Sequence, residues 1–105
     1  MGLFSKTKKI EPTDVEFDDI KFFRVTDSKG IYDYAEMVMH RYPIVLNFTD
    51  CLISEANEVL MFLSGVLYAC DGEIVKIQDK IYVMAQKSDL AGPTLTKFIN
   101  DYKKN

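Results

Sequence analysis

The spacing of apolar residues along the chain changes several times, and each change marks an element. Residues 44–48, Ile-Val-Leu-Asn-Phe, are almost continuously apolar, which predicts a strand covered on both faces and central in its sheet. After Thr49 and Asp50 the period lengthens. Ala56, Val59, Leu60, Leu63, Val66, Leu67 and Cys70 form the wide stripe of a long helix, with Ser54 as its N-cap and Glu55 and Glu58 in an acidic first turn. Asp71 and Gly72 stop it. The period then falls to two over residues 73–78 and 80–86, an antiparallel hairpin turning around Asp79. Val75, Ile77, Ile81, Val83 and Ala85 share one face of that hairpin and are assigned to the core. Ile74, Lys76, Tyr82 and Met84 share the other, which is too apolar for water and too charged for a closed interior, and is read as a contact surface.

The flanking segments serve this centre. Residues 21–26, Lys-Phe-Phe-Arg-Val-Thr, read as a first strand closed by Asp27, Ser28, Lys29 and Gly30. Ile31, Tyr34, Ala35 and Val38 then make one helical stripe, with Asp27 or Ser28 as cap; it ends near Arg41, because Tyr42 precedes Pro43. His40 in the last turn suits the negative end of the helix dipole, and no partner in sequence reach makes it a ligand or a base. Residues 87–92 read as a loop. Pro93 opens a final amphipathic helix with Leu95, Phe98, Ile99 and Tyr102 inward. The pattern predicts one small domain over residues 21–105: an α+β or α/β sandwich of about four to five strands in one sheet, packed with two helices and a C-terminal amphipathic helix.

Two stretches do not reduce to core. Phe62, Gly65 and Ala69 lie on a flank of the long helix that a simple surface helix would fill with charge. A mid-helix glycine costs about 1 kcal/mol relative to alanine, so a close neighbour is expected, either another subunit or a bulky side chain of the same domain. Residues 1–20 differ in kind: Leu3 and Phe4, then Lys6, Lys8 and Lys9, then an acidic run of Glu11, Asp14, Glu16, Asp18 and Asp19. They read as a solvated arm, or as a membrane-targeting segment and acidic linker in which Leu3 and Phe4 enter the headgroup boundary while each lysine contributes about 1 kcal/mol near anionic lipid. Myristoylation is excluded by Lys6, which stands where Ser or Thr is needed.

Composition narrows the function. The net charge of -3 argues against nucleic acid as a partner, and no apolar run approaches the roughly 20 residues of a membrane span. Neither a secretory signal nor a Cys-x-x-Cys pair is present, so Cys51 and Cys70 are read as small buried hydrophobes in a reducing cytoplasm. There is no Gly-rich phosphate loop, no His-Glu-x-x-His and no nucleophile motif, and one histidine serves the whole chain. No metal, cofactor or catalytic residue is expected; a binding or scaffolding role is. At 105 residues, dimerisation is an easy source of stability.

The order Ile-Val-Leu-Asn-Phe-Thr-Asp, then Glu-Ala-Asn-Glu-Val-Leu-Met-Phe-Leu-Ser-Gly-Val-Leu-Tyr-Ala, then Asp-Gly-Glu-Ile-Val-Lys-Ile and Lys-Ile-Tyr-Val-Met resembles the SepF family of cell-division proteins, over residues 23–90. The resemblance implies an adaptor in the cytoplasm, peripheral at the inner face of the cell membrane. There it binds the C-terminal tail of FtsZ, self-associates as a homodimer or higher polymer, and tethers the division ring during septum formation. Leu3, Phe4, Lys6, Lys8 and Lys9 would be the membrane segment. Gly65, with Phe62 and Ala69, would be a subunit contact. Lys76 matches a basic residue of the family's first hairpin strand, and Tyr82 an aromatic of the second, where many relatives have Phe. The tail peptide would lie on Ile74, Tyr82 and Met84, with Lys76 meeting an acidic group. The competing reading is a small dimeric α/β regulatory domain that binds a small-molecule ligand; an enzyme subunit without catalytic residues and RNA stacking on Tyr82 and Phe22 are further rivals.

Overall fold

The computed structural model describes residues 10–103. Strands β1 (Lys21–Arg24), β2 (Ile44–Asn47), β3 (Gly72–Gln78) and β4 (Ile81–Gln86) form one sheet in the order β1-β2-β4-β3. β1 runs parallel to β2, and the other pairs are antiparallel. Helix α1 (Ile31–Met39) makes the crossover that a parallel pair requires. Helix α2 (Ile53–Ala69) carries the chain from β2 to the far edge, and the β3–β4 hairpin folds back beside β2. A short helix α3 (Lys87–Leu90) and helix α4 (Pro93–Lys103) follow. As the pattern predicts, β2 is central, and Ile44, Val45 and Leu46 are buried on both of its faces.

The sheet divides two cores. α1 and α2 cover one face, where Tyr34, Val38, Val59, Leu63 and Leu67 meet Ile44, Leu46 and Met84. α4 lies on the other, where Leu95 meets Val45, Ile77, Val83 and Ala85. This corrects one expectation. Met84 is wholly buried, and Ile74 and Tyr82 are half-buried where they pack against the core beneath the two helices. Much of this face is apolar because it is an interior.

The caps also differ from expectation. α1 begins after Gly30 and α2 after Leu52, neither with a side-chain cap. Asp27 instead accepts the Lys29 N–H at 2.8 Å, and the Ser28 N–H donates to Glu55 Oε1 at 2.9 Å, tying the entry of α1 to the first turn of α2. Ser54 lies inside that turn. Asp71 stops α2 by taking a left-handed φ of 64°, the conformation that ends many helices. Residues 87–92 are not simply a loop, since they contain α3.

The acidic arm is bound to the domain from Thr13 onward, which a solvated arm would not be. The Thr13 N–H donates to the Ser88 carbonyl at 2.9 Å, and its hydroxyl donates to the buried Asp89 carboxylate. Arg41 Nη2 reaches the same carboxylate at 3.0 Å. Asp14 accepts the Thr94 N–H in the first turn of α4 at 3.1 Å, and Val15 packs on the second core. Charge alternation had concealed a clasp. Asp14 of the acidic run accepts from the α4 terminus, and Asp89 of α3 accepts from Thr13 and the Arg41 guanidinium.

Candidate functional site

The region assigned to peptide binding lies where the hairpin meets the start of α2. Lys76 sits opposite Tyr82 in the β3–β4 register, and Ile74 opposite Met84. The Tyr82 ring meets Phe48 edge to face, 5.8 Å between centroids. Phe48, Cys51, Ile53, Ala56, Leu60, Lys80 and Tyr82 line a groove of about 120 Å³ there. Burial pushes the Cys51 thiol up, with Glu55 and Asp27 adding to the effect, which favours its neutral form in the wall of the groove. Lys76 projects at the margin, its Nζ 3.9 Å from Asp79 Oδ1. So open a pair contributes little to stability and leaves the ammonium available.

Of the four residues read from the sequence, the structure brings Lys76 and Tyr82 to an open margin. Ile74 is half-buried behind them. Met84 has no exposed surface and supports the site from below. The groove itself owes most to residues that sequence reading assigned elsewhere: Phe48 to the central strand, Ala56 and Leu60 to the core stripe, and Cys51 to the buried hydrophobes.

The second candidate surface is the outer flank of α2. Phe62, Gly65 and Ala69 are all exposed. A Cβ built on Gly65 would meet nothing within 4 Å, so the reading in which Gly65 makes room for a side chain of its own domain is wrong. Around it lie residues that sequence reading did not single out. Tyr32 of α1 stands edge to face on Phe62 at 5.5 Å, and Met61 and Tyr68 are 77% and 89% exposed. The signal was present in the Met-Phe-Leu-Ser-Gly-Val-Leu-Tyr run, which puts apolar side chains on more than one face of the helix.

Leu3, Phe4, Lys6, Lys8 and Lys9, read from the sequence as a membrane segment, lie outside the described residues. Among the described residues, no helix is long and apolar enough to cross a membrane, and no group of His, Cys, Asp or Glu could hold a metal ion.

A small mixed sheet between helical layers, with a groove at its hairpin, defines a compact α+β domain. The family model described as Cell division protein SepF matches residues 20–88; the chain belongs to the SepF family of cell division proteins. It is similar to a SepF of Lactobacillus helveticus, 35% identical over 71 residues, which are 68% of this chain and 43% of that one. A SepF of Brevibacillus brevis is 39% identical over 51 residues, 49% of this chain and 36% of that one. The match thus spans less than half the length of these relatives. A solved SepF-like protein from Archaeoglobus fulgidus shares the fold, with a TM-score of 0.58 at 17% identity, over 64% of this chain and 83% of that one.

Proposed function

We propose that this chain is a division-site adaptor that binds the C-terminal tail of FtsZ at the Lys76–Tyr82 margin, self-associates, and links the division ring to the membrane. The observation that carries the tail site is the groove beside Tyr82. An apolar peptide side chain can enter between Tyr82, Phe48 and Leu60 while Lys76 meets a carboxylate of the same peptide. The proposed self-association surface is the flank of Phe62, Gly65 and Ala69, extended by Tyr32, Met61 and Tyr68. With no neighbour at Gly65 in its own domain, a second backbone can approach there closely. Leu3, Phe4, Lys6, Lys8 and Lys9 would hold an anionic membrane surface from the cytoplasmic side. Each contact is weak alone, and linkage through dimers and filaments makes the tether firm.

Titration of an FtsZ tail peptide against Lys76→Glu and Tyr82→Ala tests the site. Both variants are expected to bind at least tenfold more weakly than the parent chain. Unchanged affinity in the two variants would remove it.

A further inference from the structure

β1 ends the sheet, and its outer side is unpaired. Lys21 and Val25 donate their N–H groups inward, to the Pro43 and Asn47 carbonyls at 2.9 Å. The alternate residues Phe22 and Arg24 therefore direct their N–H and C=O groups outward. Among the described residues, β2 is the one strand paired with β1.

A hollow lies along each face of this edge. On the α1 side, Phe23, Tyr34 and Tyr42 line about 390 Å³, rimmed by Asp33, Glu36 and His40. On the α4 side, Phe22, Val45, Ile81 and Tyr102 line about 320 Å³. Ring contacts extend that apolar wall from Phe22 to Phe17 at 6.4 Å and Phe98 at 5.8 Å. Exposed acids predominate around the edge. Asp18, Asp19, Asp33 and Glu36 are exposed and make no ion pair among the described residues. Lys21 is engaged over the Tyr42 ring at 5.6 Å, and Arg24 is neutralised by Asp50.

We propose that the β1 edge binds a basic peptide by strand addition, a partner segment in which Lys or Arg alternates with aromatic or aliphatic residues. Main-chain bonds to Phe22 and Arg24 supply sequence-independent affinity. The alternation of a strand sends every second side chain to the same face, so cations fall beside Asp33 and Glu36 while apolar side chains cover Phe22 and Tyr102. A second copy fits less well, because it would bring the same unpaired carboxylates to the same edge. The site stands at the opposite edge of the sheet from β3 and takes a peptide of opposite charge, so it does not rest on the proposed tail site.

The probe is a nine-residue synthetic peptide alternating Lys with Val and Phe, titrated into the full chain at low ionic strength and followed by amide NMR. Saturable shifts and slowed hydrogen exchange at Phe22 and Arg24 are expected. Binding should fall at least tenfold when Asp33→Lys and Glu36→Lys are combined, two exposed changes on α1 that leave the core intact. A peptide with Glu in place of Lys, or one N-methylated along its backbone, should not bind. The proposal is overturned by absence of shifts at millimolar peptide, by shifts confined to other elements, by equal binding of the methylated peptide, or by unchanged affinity of the double variant. Slowed exchange at Phe22 and Arg24 that rises with protein concentration in the absence of peptide would make the occupant a second copy, and would overturn it too.

Discussion

Gly92→Ala separates two physical effects of opposite sign. Gly92 links α3 to α4, and its φ is not in the left-handed region. Alanine is therefore conformationally allowed, and the loss of unfolded-state freedom alone would stabilise by about 0.4–1 kcal/mol. Space decides otherwise. A Cβ at Gly92 would run into the Thr13 carbonyl oxygen, and would lie 2.9 Å from its carbonyl carbon and 3.2 Å from the Asp14 Cα. All three are backbone atoms, so the arm itself must withdraw. Withdrawal breaks the Thr13 N–H bond to Ser88 and the Thr13 hydroxyl bond to Asp89, and removes Asp14 from the Thr94 N–H. At about 1 kcal/mol for a neutral bond and about 1.5–3 for one to a carboxylate, the two Thr13 bonds outweigh the entropic gain. We expect a net loss of about 2–3 kcal/mol in urea unfolding with an unchanged slope, and a fall in Tm of about 10–20 °C. Amide exchange at Thr13 and Thr94 should accelerate. A variant as stable as the parent, or more so, refutes the clasp.

Three further changes probe the packing and its titrations. Met84→Ala should cost about 2–5 kcal/mol in the same assay because it empties a closed core; were Met84 on a contact face, the cost would fall within about 0.5 kcal/mol. Hydrogen bonds from Thr94, its side chain first, hold the Asp14 carboxyl below its ordinary 3.8. That contribution is present above pH 3.8 and is lost as pH falls through the folded value, so Asp14→Asn should flatten the acid limb of the stability profile. Tyr34 is raised above its ordinary 10.0, chiefly by burial, with Asp27, Asp33 and Cys51 adding to it. Stability should hold below pH 10 and fall as pH rises through the folded value, and Tyr34→Phe should remove that fall in urea titrations at pH 9 and pH 11.

The elements were legible because each rests on a local period: the continuous run of β2, the stripe of α2, the alternation of the hairpin and the Pro93 start of α4. The arm was not. Asp14 and Thr13 have ordinary roles in solvated segments, and their partners Ser88, Asp89 and Thr94 lie more than 70 positions away, where no spacing rule reaches. The caps were misplaced for a related reason. Ser28 and Glu55 satisfy one another across two helices, and a local reading assigns each to its own turn. At the site, the hydrophobic excess of α2 was read, but Tyr32 was not, since its place beside Phe62 follows from the packing of α1 against α2.

The face that sequence reading opened to a partner is largely covered, because coverage depends on how much helix is available, not on how apolar a strand is. Four strands at about 4.8 Å spacing make a sheet about 19 Å wide. Two helices side by side, each about 10 Å across, cover that width, and α1 with α2 do so over Ile74, Tyr82 and Met84. The other face has α4, joined only by Val15 and Ile20 of the arm. One helix covers half of the width, and it is placed on Ile77, Val83 and Ala85, so the uncovered half must fall toward β1. There Phe22, Val45 and Ile81 line an open hollow beside Tyr102. Uncovered apolar surface therefore lies on the β1 side of this face, next to an unpaired edge whose other side carries Asp33 and Glu36.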